Sequence, residues 1–442
     1  MKIFVDLHSF NNNKEINTAF FLKWVYNKMV QDFINRHYYS LFIITLLLGV
    51  ILYGLTNFQA IDEICSIILL GMFFFVMLNT KDWAINKLFL YTLLIFSFYF
   101  FYSLIIHSNS TKAILMDLLI QLKPYIALFC TYQLRPQFNK KQTVILHQLS
   151  ILIWFVLLPI GITGIFYHKI FTITMAHASN FASAVSALAL IYLYTSKNTQ
   201  RERWIFILML SLGLISGRSK FYGFFLLSSM LILYLSNAKN LKINTKNILL
   251  FLGLFCLILF VAKEKITLYF MQGISADAEK NYIARFALYA TSFQIFIDHF
   301  PFGSGLASFA TYASGMFYSQ TYTDYQIDGI WGISKSYKSF IADTYYPSLA
   351  QFGIVGVCLY ISFWIYIFKE AIICFKKTNE TNLTIITLII IGYFAIENVA
   401  DATITSNRGF FFMMFLGLIL SDMKYKRAAL QKDQAPNNLV NQ

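Results

Sequence analysis

Apolar residues in this chain come in runs of membrane-span length, separated by short polar connectors. A helix needs roughly 20 apolar residues to cross a bilayer. Runs near that length occur at 38–57, 64–79, 88–106, 117–134, 144–167, 176–195, 203–217, 219–236, 247–262, 345–368, 383–399 and 408–421. The pattern predicts an all-α polytopic membrane protein of about twelve transmembrane helices. The seventh and the last are short enough to be tilted or broken. No internal repeat is evident, which weakens an inverted-repeat transporter.

Two stretches depart from that pattern. Residues 1–37 are polar, with Phe20, Phe21, Trp24, Val25, Met29, Phe33 and Ile34 at helical spacing against Lys23, Asn27, Gln31 and Asn35. That spacing fits a helix in the inner membrane interface and fits a plain extension of the first span equally well. Residues 263–344, between the ninth and tenth spans, form the one long polar segment. The last three spans (345–421) and a polar tail (422–442) follow. Within the long segment an amphipathic helix is predicted over 282–300. Tyr282, Ile283, Phe286, Tyr289, Phe293, Phe296 and Ile297 make its apolar face, and Arg285, Ser292 and His299 share one polar stripe. Such a helix lies on the outer leaflet or plugs a cavity mouth; a plain solvated stripe is the simpler account.

Composition sharpens the class. The chain is 58% hydrophobic, 18% aromatic and 13% charged, where a soluble domain carries about 25% charged residues. Its net charge of +14 does not point to nucleic acid. No basic run stands on a soluble domain, and Lys and Arg mostly flank spans. A cytoplasmic N-terminus puts the loops richest in Lys and Arg inside, such as those with Arg135, Lys140 and Lys141 or Lys197, Arg201 and Arg203. Both termini are then cytoplasmic, and 263–344, His177, Arg218 and Arg408 face outward. No cleavable signal peptide is read, so the first span is expected to direct insertion. Cys65, Cys130, Cys256, Cys358 and Cys374 lie in or beside apolar runs without CxxC spacing, and read as small hydrophobes.

Polar side chains at the outer ends of the spans carry the candidate chemistry. Ser216-Gly217-Arg218-Ser219-Lys220 puts two cations in a tight turn against the positive-inside bias. They either snorkel to headgroups or form an anion site, where the Arg fork suits phosphate. Lys123, ahead of Pro124, lies inside the fourth span, where an unpaired cation is costly. His177 and Asn180 open the sixth span. Glu397, Asn398, Asp401 and Arg408 ring the last two, as a site or as a structural ion-pair cluster. Phe302-Gly303-Ser304-Gly305 either lets backbone approach a ligand or simply turns the chain after Pro301. Asp343 suits a helix N-cap, and suits equally a base that takes a proton from a sugar hydroxyl. Tyr312, Tyr318, Tyr322, Tyr325, Trp331 and Tyr337 can stack on sugar faces or anchor the loop at an interface. There is no Walker loop, dinucleotide fingerprint or HExxH, and Asp324 and Asp328 sit four apart. No nucleotide, cofactor or metal is therefore expected.

These stretches resemble the O-antigen polymerase and ligase superfamily of bacterial inner membranes, the Wzy-type polymerases in particular. Ala176-His177-Ala178-Ser179-Asn180-Phe181-Ala182 is similar to the family's small-residue opening of a middle span. Ser216-Gly217-Arg218 resembles its arginine loop. Arg285 followed by Pro301-Phe302-Gly303-Ser304-Gly305 is similar to the long loop's arginine helix and P-x-G-x-G turn. Asp343 with Gln351-Phe352-Gly353-Ile354-Val355-Gly356 resembles the closing motif. Ligases of the superfamily usually carry a His where this chain reads Ala342-Asp343-Thr344, which favours a polymerase using a carboxylate.

The resemblance implies an inner-membrane enzyme with a periplasmic site and undecaprenyl pyrophosphate-linked oligosaccharide as substrate. It implies Asp343, Arg285 and Arg218 as catalytic groups, and Arg218, Arg285, Lys123 and Lys220 on the pyrophosphate. His177, Asn180, His299, Gly303, Gly305, Tyr345, Tyr346 and Arg408 are then expected on the substrate. Membrane lipids and a chain-length regulator protein are the implied partners. Two rivals stand beside it: a ligase moving finished glycan to lipid A or protein, and a flippase or transporter for the lipid-linked sugar.

Overall fold

The computed structural model describes residues 28–235, with short breaks at 57, 59, 81–84 and 198, and residues 280–434, with Leu249 and Gly253 between. Residues 1–27, most of the ninth predicted span at 247–262, the start of the long segment and 435–442 lie outside the described residues.

Among the described residues all regular structure is helical. The main helices are α1 (Lys28–Ile51), α2 (Ile61–Thr80), α3 (Lys87–Ile105), α4 (Thr111–Leu134), α5 (Lys140–Phe166), α6 (Ala178–Thr195), α7 (Gln200–Ser211), α8 (Ser219–Leu235), α9 (Lys280–Asp298), α10 (Gly353–Thr378), α11 (Thr381–Glu397) and α12 (Asn407–Gln434). Seven are long and apolar enough to cross a membrane: α1 to α6, and Tyr346–Thr378, which contains α10. α8 and α11 are shorter apolar helices. This is the architecture of an all-α multi-pass membrane protein. Every predicted span that is described coincides with a helix. α7 is short, as expected, and continues as a tighter 3-10 turn, Leu212–Ser216. The last predicted span is the start of a longer helix, since α12 runs 28 residues, and α12 is not among the seven.

Burial sorts the helices into centre and rim. α6 is buried over 83% of its apolar window, whereas α3 is buried over 22%. The sequence explains the difference. α6 reads Ala-Ser-Asn-Phe-Ala-Ser-Ala-Val-Ser-Ala, and small side chains let helix backbones approach closely. Ser183 and Ser186 turn their hydroxyls back onto carbonyls one turn earlier, so burying them leaves no donor stranded. α12 is the other central helix and packs against α4. At Gly417 a Cβ would lie 2.4 Å from the Leu128 carbonyl oxygen, so this contact requires glycine. α3, rich in Phe and Leu, turns Phe98, Phe101 and Ile105 outward.

α1 is described from Lys28 and runs into the first span. The polar stretch from 28 to 37 is thus an extension of that span.

The described part of the long segment is compact. Leu288, Ile295, Phe309, Tyr322, Ile333 and Ile341 form a core of its own. α9 buries the face opposite its large apolar residues. Ala284, Leu288, Thr291, Ser292 and Ile295 are buried, while Phe293 and Ile297 are 64% and 76% exposed. The predicted polar stripe also separates, since Ser292 is buried and His299 exposed. Small side chains, Ala284 and Ala287 among them, let this face pack closely on the core of the segment.

The Pro301–Gly305 turn docks this segment onto the bundle. Gly303 and Gly353 both have positive φ, +80° and +60°, and their backbones touch. Gly305 N–H donates to the Gln351 carbonyl at 2.9 Å, and Tyr102 donates its hydroxyl to the Gly303 carbonyl at 2.9 Å. Buried Asp117 on α4 accepts the Ala307 N–H at 2.8 Å.

Candidate functional site

One end of the bundle gathers the starts of α6, α8 and α12, the end of α11 and the close of the long segment. Helix starts and tight turns set the side chains there. His177 is the N-cap of α6 and accepts the Ser179 N–H at 3.3 Å. Gly217, with φ +67°, ends the 3-10 turn and lets Arg218 and Lys220 lead into α8. The link from α11 to α12 carries Asp401, and α12 begins with Asn407 and Arg408.

Two layers of charge result. In the deeper layer Lys220 pairs with Glu397 at 2.6 Å and with Asp401 at 3.2 Å. Arg408 pairs with Asp401 at 2.5 Å and donates to the Asn180 Oδ1 at 2.9 Å. Burial alone would raise the Asp401 carboxyl, but Arg408 and then Lys220 overcome it and hold it well below the usual carboxylate range. Two cations against two carboxylates leave this layer neutral.

The second layer is not neutral. Arg285 on α9 donates Nε–H to Asp343 Oδ2 at 2.6 Å, and its Nη2 reaches the same oxygen. Its guanidinium also lies 5.1 Å from the Phe340 ring, a contact that nothing in the sequence spacing signalled. Arg218 faces the His177 ring through Nη2. Among the described residues no carboxylate lies within ion-pair distance of Arg218. Its Nε is buried without a hydrogen-bond partner. Burial, and then the Arg218 charge, push His177 down to about 4, so the ring is neutral near pH 7. A neutral imidazole accepts at only one nitrogen. The cap bond and the guanidinium contact therefore compete for one lone pair.

Arg218 feels the charges of Asp401, Arg285, Asp343 and Glu397, and Asp343 feels Asp401 and Lys220, so the layers form one electrostatic unit. Four cations face three carboxylates, and Arg218 is the surplus. Burial pushes the Asp343 carboxyl up, and Arg285 offsets this only in part.

The structure thus brings together Arg218, Lys220, Arg285, Asp343, His177, Asn180 and Arg408. It sends the other candidates elsewhere. Lys123 sits between Asp62 and Glu63 at the start of α2, at 2.5 Å from each. Asn407 also turns to Asp62, at 2.6 Å through its amide nitrogen. Neither carboxylate was foreseen as its partner, because the pairing spans some sixty residues of sequence. Gly303 and Gly305 serve the docking turn. His299 is exposed, and its carbonyl accepts the Gly303 N–H at 2.7 Å. Tyr345 is buried and donates its N–H to the Asn398 carbonyl at 3.2 Å; Tyr346 donates its hydroxyl to the Ala395 carbonyl at 2.9 Å. Both fasten the closing turn to α11. Asp343 is no N-cap: the turn Tyr346–Phe352 that follows has no side-chain cap, and the carboxylate goes to Arg285.

No family model matches the chain, and no curated protein matches it.

Proposed function

We propose that this chain is a polysaccharide polymerase, joining undecaprenyl pyrophosphate-linked repeat units at the periplasmic face of a bacterial inner membrane. One observation carries the reading: a surplus guanidinium, Arg218, lies in the same charged cluster as an Arg285–Asp343 pair. A lipid-linked diphosphate brings the negative charge that Arg218 lacks, at the membrane end where such a headgroup resides.

In this mechanism an acceptor hydroxyl attacks the anomeric carbon of the donor glycan. The new C–O bond forms as the bond from that carbon to the pyrophosphate oxygen breaks. The electron pair leaves on undecaprenyl pyrophosphate, whose growing charge Arg218 stabilises. The hydroxyl proton goes to Asp343, through Oδ1, while Arg285 holds Oδ2. Burial raises the basicity of this carboxylate, which suits the role. Lys220 and Arg408 are occupied by Glu397 and Asp401, so they hold helix ends rather than substrate. The leaving group is already activated, so the reaction calls for neither nucleotide nor metal.

The test is surface glycan made in cells lacking their own polymerase. Arg218→Ala and Asp343→Asn should each give single repeats in place of a ladder. Each change removes about two to three orders of magnitude of rate, typical of one charge-stabilising donor or one general base. A full ladder from both variants would end the reading.

A further inference from the structure

We infer that the exposed ring pair Trp331–Tyr337, backed by Phe340, is a saccharide-binding platform. On the polymerase reading, on which this assignment of the ligand as the acceptor rests, it holds the acceptor glycan next to Asp343.

Local sequence forces these rings outward. In Trp331-Gly332-Ile333, Ile333 is buried in the core of the long segment, and the turn at Gly332 leaves Trp331 outside. Gly332 has φ +90°, and its carbonyl accepts the Phe340 N–H at 2.9 Å. A Cβ at Gly332 would lie 2.4 Å from the Phe340 ring, so only glycine permits the pinch. Ser334 then fixes Tyr337, accepting its N–H at 3.2 Å. Trp331 and Tyr337 are 40% and 45% exposed, with ring centroids 4.7 Å apart. Phe340 lies 5.7 Å from Trp331 on one side and 5.1 Å from the Arg285 guanidinium on the other. A continuous path therefore leads from the exposed rings through Phe340 and Arg285 to Asp343.

The surroundings decide the ligand class. Phe293, Ile297 and Phe300 make an apolar face suited to acyl chains. The Trp331 platform is instead bordered by exposed Lys335, Ser336 and Ser339. Large rings among hydroxyls and ammonium groups fit a ligand with an apolar face and a polar edge. A pyranose is such a ligand: its C–H face meets the electron-rich ring faces, and its hydroxyls meet the border.

The experiment uses the full chain in detergent and, as probe, the lipid-free oligosaccharide released by mild acid from the producing cells' own lipid-linked pool. Binding is followed by calorimetry. Trp331→Ala should weaken binding about tenfold, a loss of about 1.4 kcal/mol. Trp331→Phe, which keeps a ring and the fold, should stay within about threefold of the parent. In the polymerisation assay Trp331→Ala should raise the acceptor KM and leave kcat in place. Loss of binding in Trp331→Ala with none in Trp331→Phe supports the platform even if the parent never polymerises, in which case the polymerase reading alone falls. Undiminished binding in Trp331→Ala, or equal loss in both variants, overturns it. So does quenching of Trp331 fluorescence by brominated lipid with no response to glycan, which would make the rings a membrane anchor.

Discussion

The two charged clusters of this protein match their cations differently. Around Lys123, one ammonium sits between Asp62 and Glu63, with Asn407 closing the group. Its positive charge is fully matched within the bundle. Around Arg218, four cations face three carboxylates, and the guanidinium meets a neutral imidazole instead of an anion. The difference teaches that burial alone does not mark a binding cation. On the proposed function, what marks it is charge that the fold leaves unmatched at an accessible end.

The comparison breaks most visibly at Lys123. Lys123→Met strands two carboxylates, and losing one partner of a buried pair costs about 3–5 kcal/mol. The melting temperature in detergent should fall steeply, whereas Arg218→Ala should leave it nearly unchanged. Equal losses would erase the distinction. Next comes Asp343→Asn, which keeps an oxygen for Arg285 and removes the base. Turnover should drop by two or more orders of magnitude, as for a lost general base, with the fold intact by circular dichroism.

Gly303→Ala sharpens the division between site and scaffold. The new Cβ would lie 2.2 Å from the Gly353 nitrogen, at a backbone conformation that favours glycine. The expected loss is about 1–3 kcal/mol of stability, with normal substrate affinity in the protein that still folds. A folded variant with lost affinity would return Gly303 to the site.

The smallest effect is in pH. Asp343 is raised, so the base is lost as pH falls through a value above the ordinary Asp pKa of about 3.9. The acid limb of the rate should lie above that mark and vanish in Asp343→Asn. Asp401 is held low, so its contribution to stability is present above about pH 3.9 and is lost as pH falls toward its folded value. Asp401→Asn should therefore flatten the acid side of the stability curve. An unchanged acid side would deny the pairing with Arg408 and Lys220.

Most of this architecture was legible in the sequence. Seven helices long and apolar enough to cross a membrane lie at predicted spans, because a bilayer imposes one length on every crossing helix. The short helix at the seventh predicted span was readable too. The burial face of α9 was not, since periodicity shows where apolar residues lie and not which face meets the core. Of the site, Arg218 stood out by defying the charge bias of its loop, and Asp343 by its place before the closing turn. Lys123 misled for a physical reason: an intramembrane cation demands a partner, but sequence does not say whether a substrate or a carboxylate sixty residues away supplies it. Gly303 misled likewise, as close approach of backbone to ligand and of backbone to backbone require the same residue. Trp331 was readable as a ring for a sugar face or an interface anchor, but its place beside Phe340, next to Arg285, shows only with the pinch at Gly332.

The most direct measurement is binding of undecaprenyl pyrophosphate to the purified chain in detergent, by calorimetry, for the parent and for Arg218→Ala. The account predicts affinity at least about tenfold weaker in the variant, a difference of about 1.4 kcal/mol or more, at an unchanged melting temperature. Equal affinity in the two proteins would contradict it.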